Sequence, residues 1–396
     1  MLLSYKYRLN PSSGQIVVLE EQLRFCRWVY NTLLGYCFDE RRAGRGTPTQ
    51  FSLQYLLPTM KAQTPELDQV HSQVLQNVAK RVRSGFENYW TKKKLGMRTH
   101  LPRFRRADKY NSLTYPQSGF ILKDELLKLS KMGALNIILH RPVEGEVKTL
   151  TVKREQSGKW YAIFACEVEA KPIEGRLPAV GVDFGLKSTV ALSDGTTIEA
   201  PQFYRKSEER LGRLQRIHSK RKLRSRNREK ARIGVAKLSE KITNQRRDFL
   251  NKIARGIVNK YKTVYIEDLK VANMVRNRHL SKSIGDAGWG RLRHILTYMA
   301  ERSEGVMVCV DPRNTSQLCS GCGELVTKDL AERVHRCSHC GLVMDRDVNA
   351  ARNILRKGIG LGQPESTPVG EETTTMLSEA WQVASMNQEV HHLSGG

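Results

Sequence analysis

Four cysteines and three carboxylates are the side chains in this sequence whose types and spacing suit them for chemistry. Cys319-Ser-Gly-Cys322 and Cys337-Ser-His-Cys340 form two C-x-x-C turns with fourteen residues between them. Each turn brings two sulfurs to one point, and two such pairs close a tetrahedron around one Zn²⁺. A closed shell leaves no open position for substrate, so this zinc holds structure and the reaction lies elsewhere. His339, inside the second knuckle, is a rival ligand, but four thiolates already fill the shell. The acids come from three separate segments: Asp183 in GVDFG, Glu267 in TVYIEDL and Asp347 in DRDVNAA, directly behind the ribbon. Three carboxylates gathered in this way can hold two Mg²⁺ roughly 4 Å apart, one to activate water and one to stabilise a leaving oxygen. Each acid alone carries little weight, because Asp at a strand end is commonly a turn or cap residue. Asp268 competes with Glu267, and Asp345 competes with Asp347 as either ligand or helix N-cap. Spacing leaves both choices open.

The elements that would position these acids follow from periodicity and turn signals. AVGVDFG, STVALSDG and TTIEAP are three short strands joined by turns, an antiparallel meander whose first member carries Asp183. Gly185 permits a close approach beside it. A very basic helical stretch follows, then a helix from Val235 to Tyr261 and the strand TVYIEDL. A helix from Asp286 to Arg302, the strand VMVCV, the ribbon and a helix over Asp347–Arg356 complete the series. This order resembles the ribonuclease-H-like arrangement, in which the Glu267 strand lies beside the Asp183 strand and two ions serve in-line phosphodiester cleavage. Upstream, YKYRL is a strand, Ser12 or Ser13 caps a helix from Gln15 to Arg41, and a second helix spans Leu67–Lys94. LNIIL, VKTLTVKRE and WYAIFACEVE are strands, and Lys171–Pro178 is a linker.

Composition narrows the partners. A chain of 396 residues, 39% of them hydrophobic, has room for several compact units. A net charge of +26 and a pI near 9.9 argue for a polyanionic partner. Residues 205–232 hold thirteen Lys or Arg against three Glu, and Arg221, Lys222, Arg224 and Arg226 within them are candidate phosphate contacts. LPRFRRADKY and FENYWTKKK mix cations with aromatics, which suits stacking on unpaired bases. Lys328, Arg333, His335 and Arg336 offer positive charge on the ribbon. No run approaches the roughly 20 apolar residues of a membrane span, and MLLSYKYRLN lacks signal-peptide architecture, so a cytoplasmic protein with no membrane partner is expected. Cys26, Cys37, Cys166 and Cys309 lie in apolar surroundings and are expected as buried thiols of a reducing compartment.

GVDFGLKSTVALSDG, VYIEDLKVANM, DPRNTSQLCSGCG and DRDVNAARNIL resemble, in this order, the signatures of the TnpB (OrfB) family. These are RuvC-like proteins of bacterial insertion sequences, related to the compact type V CRISPR effectors, and the likeness covers roughly residues 1–357. It implies an α+β multidomain protein: an RNase H-like (RuvC) nuclease domain with an inserted zinc ribbon, a β-barrel-like wedge domain and a helical recognition lobe. The wedge would take residues 1–11 and 99–172, the recognition lobe 12–98, the nuclease 173–310 and 346–357, and the ribbon 311–345. A disordered acidic tail would fill 358–396, where five Glu occur without Lys or Arg. The resemblance selects Asp183, Glu267 and Asp347 as catalytic magnesium ligands, ahead of Asp268 and Asp345. It further implies RNA-guided cleavage of double-stranded DNA beside a short target-adjacent motif, one chain per guide RNA, with a guide derived from the transposon end. Two other readings use the same features: a transposase acting directly on element ends, and an RNA-guided regulator that binds DNA without cutting.

Overall fold

The computed structural model describes residues 1–329 and 332–360. Most of the expected tail, 361–396, lies outside the described residues. The chain forms two compact units, Leu2–Val168 and a second beginning at Glu169.

The first unit opens with strand β1 (Leu2–Asn10), whose alternate residues Tyr5, Tyr7 and Leu9 are buried. Helix α1 (Ser13–Arg42) starts on a reciprocal cap: the Ser12 hydroxyl accepts from the Gln15 N–H at 3.3 Å, and the Gln15 side chain accepts from the Ser12 N–H at 2.9 Å. Helices α2 (Gln50–Tyr55) and α3 (Leu57–Gln63) lead to α4 (Ser72–Lys94). The expected helix over Leu67–Lys94 is interrupted, because Pro65–Gln69 is a separate 3₁₀ turn and Val70 is extended. Leu19, Leu23, Cys26 and Tyr30 on α1 share one core with Val74, Val78 and Val82 on α4. Six further strands follow: β2 (Ser112–Tyr115), β3 (Phe120–Lys123), β4 (Leu126–Leu129), β5 (Gly133–Ile138), β6 (Glu146–Arg154) and β7 (Trp160–Glu167). They make an antiparallel, barrel-like sheet in the order β2-β6-β7-β1-β5-β4-β3, so the first strand of the chain sits at its centre. The residues expected to form separate wedge and recognition domains thus lie in one compact unit.

The second unit is built on a five-stranded sheet. Strands β8 (Leu177–Asp183), β9 (Ser188–Leu192) and β10 (Thr197–Glu199) form the meander. Helices α5 (Phe203–Lys220) and α6 (Arg226–Lys260) follow as a hairpin, then β11 (Tyr261–Glu267), the short α7 (Val271–Met274) and α8 (Ser281–Ala287), α9 (Trp289–Arg302) and β12 (Val306–Val310). The strand order is β10-β9-β8-β11-β12, with β11 parallel to both β8 and β12. Near-continuous apolar runs in β8 and β11 suit strands covered on both faces. One face packs Val180, Val182, Val264 and Ile266 against Leu250, Ile253 and Ile257 of α6 and Leu292, Ile295 and Leu296 of α9. The opposite face carries Tyr265 and Val310, covered by Ile354 of α10 (Arg346–Gly360). A small hairpin, β13 (Val334–Arg336) and β14 (Val343–Asp345), precedes α10.

Four expectations need revision here. The linker Lys171–Pro178 is pinned: Lys171 N–H donates to the Arg302 carbonyl at 2.7 Å, the Arg176 guanidinium donates to Ser303, and β8 begins at Leu177. The basic run 205–232 is not one helix but breaks at residues 221–225, where Arg224 takes φ 62°. The helix expected over Asp286–Arg302 is two, divided at Gly288 with φ 69°. The last described helix passes the expected tail boundary and runs to Gly360, the last described residue.

Candidate active site and zinc ribbon

Sheet register brings the first two acids together. Val182 stands opposite Ile266 in parallel strands, so the next residues, Asp183 and Glu267, emerge side by side at the carboxyl ends of β8 and β11. Ligand and reaction sites of open α/β sheets gather at that end. The third acid comes from α10, which lies unusually close to β8. A Cβ on Gly181 would fall 2.0 Å from the Ala351 carbonyl oxygen, and one on Gly358 would strike the Tyr265 ring at 2.1 Å. Two residues without side chains thus let the helix backbone rest on the sheet. A Cβ on Gly185 would stand 3.5 Å from Asp347 Oδ2 and 2.6 Å from the Ser188 carbonyl, which places the Asp347 carboxylate at the loop after Asp183. Trp289 ties that loop to α9 by donating to the Gly185 carbonyl at 3.2 Å.

Electrostatics show that the three acids share a site. Burial, then repulsion from Glu267 and Asp347, push the Asp183 carboxyl well above its ordinary range. Arg346 and the Phe184 N–H oppose that rise. Burial also raises Glu267, opposed by a hydrogen bond from Thr315 and by Lys357. Arg346 sits with Nε 3.4 Å from Asp347 Oδ1, a guanidinium among the acids. Buried carboxylates that repel one another call for a cation, and oxygen-only ligands suit Mg²⁺. The rival acids face other partners. Asp268 is half exposed and paired with Arg293 at 2.7 Å. Asp345 Oδ1 accepts from the N–H groups of Asp347 at 2.8 Å and Val348 at 3.1 Å, which is helix capping.

The ribbon satisfies the geometry of a metal site. The sulfurs of Cys319, Cys322, Cys337 and Cys340 all lie within 4.8 Å of one another, with Cys319–Cys340 and Cys322–Cys337 each at 3.6 Å. A tetrahedron with Zn–S bonds near 2.3 Å has edges of about 3.8 Å, so the four residues fit zinc. Both knuckles close alike: Gly323 N–H donates to the Cys319 carbonyl and Gly341 N–H to the Cys337 carbonyl, each glycine at positive φ. Backbone N–H groups of Cys340 and His339 hold the Cys337 thiol below its ordinary value, whereas burial and hydrogen bonds to the other three cysteines push Cys322 up, so the four sulfurs share their protons as one cluster. The three acids do not crowd within 4.8 Å of one another as the sulfurs do. Ligands spread over two ions need not.

Other candidates divide. Arg221, Lys222, Arg224 and Arg226 stand exposed at the tip of the α5–α6 hairpin rather than along a helix face. His335 is fully buried, and burial and Lys328 keep its pKa below the ordinary value; it is a ribbon core residue, not surface charge. Lys328 is spent internally, donating to the Ser316 carbonyl at 2.9 Å. Cys26, Cys37 and Cys166 are buried and Cys309 partly so. Sequence reasoning passed over Thr315, Asn349 and Asn353, although all three stand inside quoted motifs. Thr315 is buried and its hydroxyl donates to Glu267 Oε1. Asn349 and Asn353, one helical turn apart on α10, bond backbone groups of residues 315–320. The spacing of four between two asparagines behind Asp347 was the available signal.

Comparison with known proteins identifies relatives of the chain as a whole. Residues 163–278 match the OrfB_IS605 family, described as "Probable transposase", residues 289–354 match "Cas12f1-like, TNB domain", and residues 1–46 match a family described as "Helix-turn-helix domain". A relative from Streptomyces pristinaespiralis, "Putative RNA-guided DNA endonuclease", is 36% identical over 90% of this chain and 89% of its own. "Putative RNA-guided DNA endonuclease InsQ" of Escherichia coli (strain K12) is 31% identical over 95% and 98%. The Cas12f1 chain solved with sgRNA and target DNA shares the fold at TM-score 0.57 and 15% identity, over 89% of this chain and 98% of that one. Among the described residues no helix is long and apolar enough to cross a membrane.

Proposed function

The chain belongs to the TnpB/OrfB family of IS605-type elements, and from that membership we propose that it is an RNA-guided DNA endonuclease whose single cutting site is the Asp183–Glu267–Asp347 cluster. The observation that carries the site is convergence: β8, β11 and α10, far apart in sequence, deliver three carboxylates to one end of one sheet, where burial and then repulsion from the other two raise the Asp183 pKa. Two Mg²⁺ bound by these oxygens would supply an activated water and a counter-charge for the departing oxygen of the cut strand. Around that chemistry, the chain's own residues orient. Asp345 fixes the first turn of α10, and Trp289 fixes the loop after Asp183.

Base pairing with a guide supplies sequence recognition in such enzymes, so the protein needs shape and phosphate contacts. The exposed cations of the α5–α6 tip supply phosphate contacts in this reading. The first unit would serve as wedge and recognition lobe, bind a guide made from the transposon end, and read the target-adjacent motif, one chain per guide in the cytoplasm. The ribbon's zinc keeps its structural part. The test is cleavage of plasmid by protein purified with its RNA: wild type cuts both strands only with Mg²⁺ and a matching target. Asp183→Ala, Glu267→Ala and Asp347→Ala bind target without cutting. Full cutting by Asp183→Ala would overturn the assignment.

A further inference from the structure

We infer that the first zinc knuckle is a positioning element for the magnesium site, acting through a strap, Thr315–Ser320, that is fixed to Glu267 at one end and to the Asp347 helix along its length. This rests on the two-ion reading above. Glu267 is largely buried, and the Thr315 hydroxyl donates to its Oε1 while lying 2.9 Å from the Pro312 carbonyl. A carboxylate oxygen that receives a fixed donor has its other lone pairs aimed, which is how partners behind a metal ligand set its geometry. Thr315 itself belongs to no helix or strand, so its place depends on cross-links.

Those cross-links come from α10. Asn353 Nδ2 donates to the carbonyls of Thr315 at 2.9 Å and Leu318 at 2.6 Å. Asn349 Nδ2 donates to Leu318 at 2.8 Å, and its Oδ1 accepts from the Ser320 N–H at 2.9 Å. Ser320 lies inside the knuckle, directly after the fully buried Cys319. Arg356 adds a hydrogen bond to the Ser320 carbonyl at 2.7 Å. Both asparagines are buried, at 0% and 3% exposed, and each amide is used on backbone groups that would otherwise be orphaned. Zinc shapes the knuckle, the knuckle presents Leu318 and Ser320, the asparagines seize them, and Thr315 is thereby set against Glu267. The same helix holds Asp347, so one assembly places two of the three acids.

The test uses the full chain purified without RNA, with Mn²⁺ binding followed by electron paramagnetic resonance. Wild type binds Mn²⁺ in a manner that Asp183→Asn abolishes. Thr315→Val weakens that site 10- to 100-fold, the range typical of partners behind metal ligands, while Thr315→Ser stays within about twofold of wild type. Both keep one zinc per chain and the wild-type circular dichroism. Cys337→Ser, lacking zinc, weakens Mn²⁺ at least as much as Thr315→Val. Wild-type Mn²⁺ affinity in Thr315→Val or in Cys337→Ser would overturn the inference alone. Absence of any Asp183-dependent Mn²⁺ site in wild type would overturn the two-ion reading, and this inference with it.

Discussion

Asp345 and Asp347 are two residues apart, and one holds the other in place: Asp345 Oδ1 accepts a 2.8 Å hydrogen bond from the backbone N–H of Asp347. The pair therefore separates by experiment. Asp345→Ala removes a helix cap and costs about 1 kcal/mol, yet keeps most cleavage. Asp345→Asn, which can still cap, stays near wild type in both. Asp347→Ala retains guide binding and loses cutting. Measured side by side, loss of cutting in Asp345→Asn with retention in Asp347→Ala would move the third ligand by two residues.

Asp183 predicts a trade between stability and activity. Its ionised form is disfavoured by burial and by two like charges, so in magnesium-free buffer near neutral pH it destabilises the fold. Asp183→Asn should melt several degrees higher than wild type, at roughly 2–4 °C per kcal/mol for a domain of this size, and should not cut. The sign with pH follows. A carboxyl whose folded pKa is raised carries its full cost above that pKa, so the gap between variant and wild type shrinks as pH falls below it and closes only near the ordinary aspartate range, where the unfolded chain also binds the proton. A melting point for Asp183→Asn at or below wild type across the range would refute the crowded-charge account.

The ribbon should carry one zinc per chain by elemental analysis. Cys337→Ser should lose it and, with it, protection of residues 312–345 from proteolysis, because zinc binding contributes on the order of 10–16 kcal/mol to such modules. Well-folded protein without zinc would contradict the four-thiolate site.

The cations at the α5–α6 tip should show in salt dependence. Replacing Arg221, Lys222, Arg224 and Arg226 with Ala should weaken nucleic-acid binding and reduce the log–log salt slope by roughly 0.7–0.9 per lost phosphate contact. An unchanged slope would leave this tip as solvated charge.

Much of the second unit was legible because its signals are local. Each strand that bears an acid is a short apolar run, and the knuckles announce themselves by spacing. What escaped depends on contacts distant in sequence. The strands Ser112–Tyr115, Phe120–Lys123 and Leu126–Leu129 are only four residues each, too short for alternation to stand out. The break near Arg224 lies in a run whose charge hides the turn, since a left-handed arginine carries no sequence signature. Gly288, by contrast, was a visible stop signal within an otherwise helical pattern. Thr315 and the two asparagines sat in plain view, but their meaning needs the Glu267 strand and the knuckle in three dimensions. Gly181 is similar: its lack of a side chain explains itself only once α10 lies against it.

That close seating of α10 on β8 also sets an order of events. Translation proceeds from the amino end, and domains fold as their parts emerge. Asp183 and Glu267 leave the ribosome early, on strands that can already pair, while Asp347 arrives on the last described helix, after the ribbon. A nascent chain that lacks α10 therefore has two of the three proposed metal ligands and, on this reading, no cutting centre. For an enzyme that attacks DNA, competence would wait until α10 seats on β8 at Gly181, its own Gly358 clearing the Tyr265 ring.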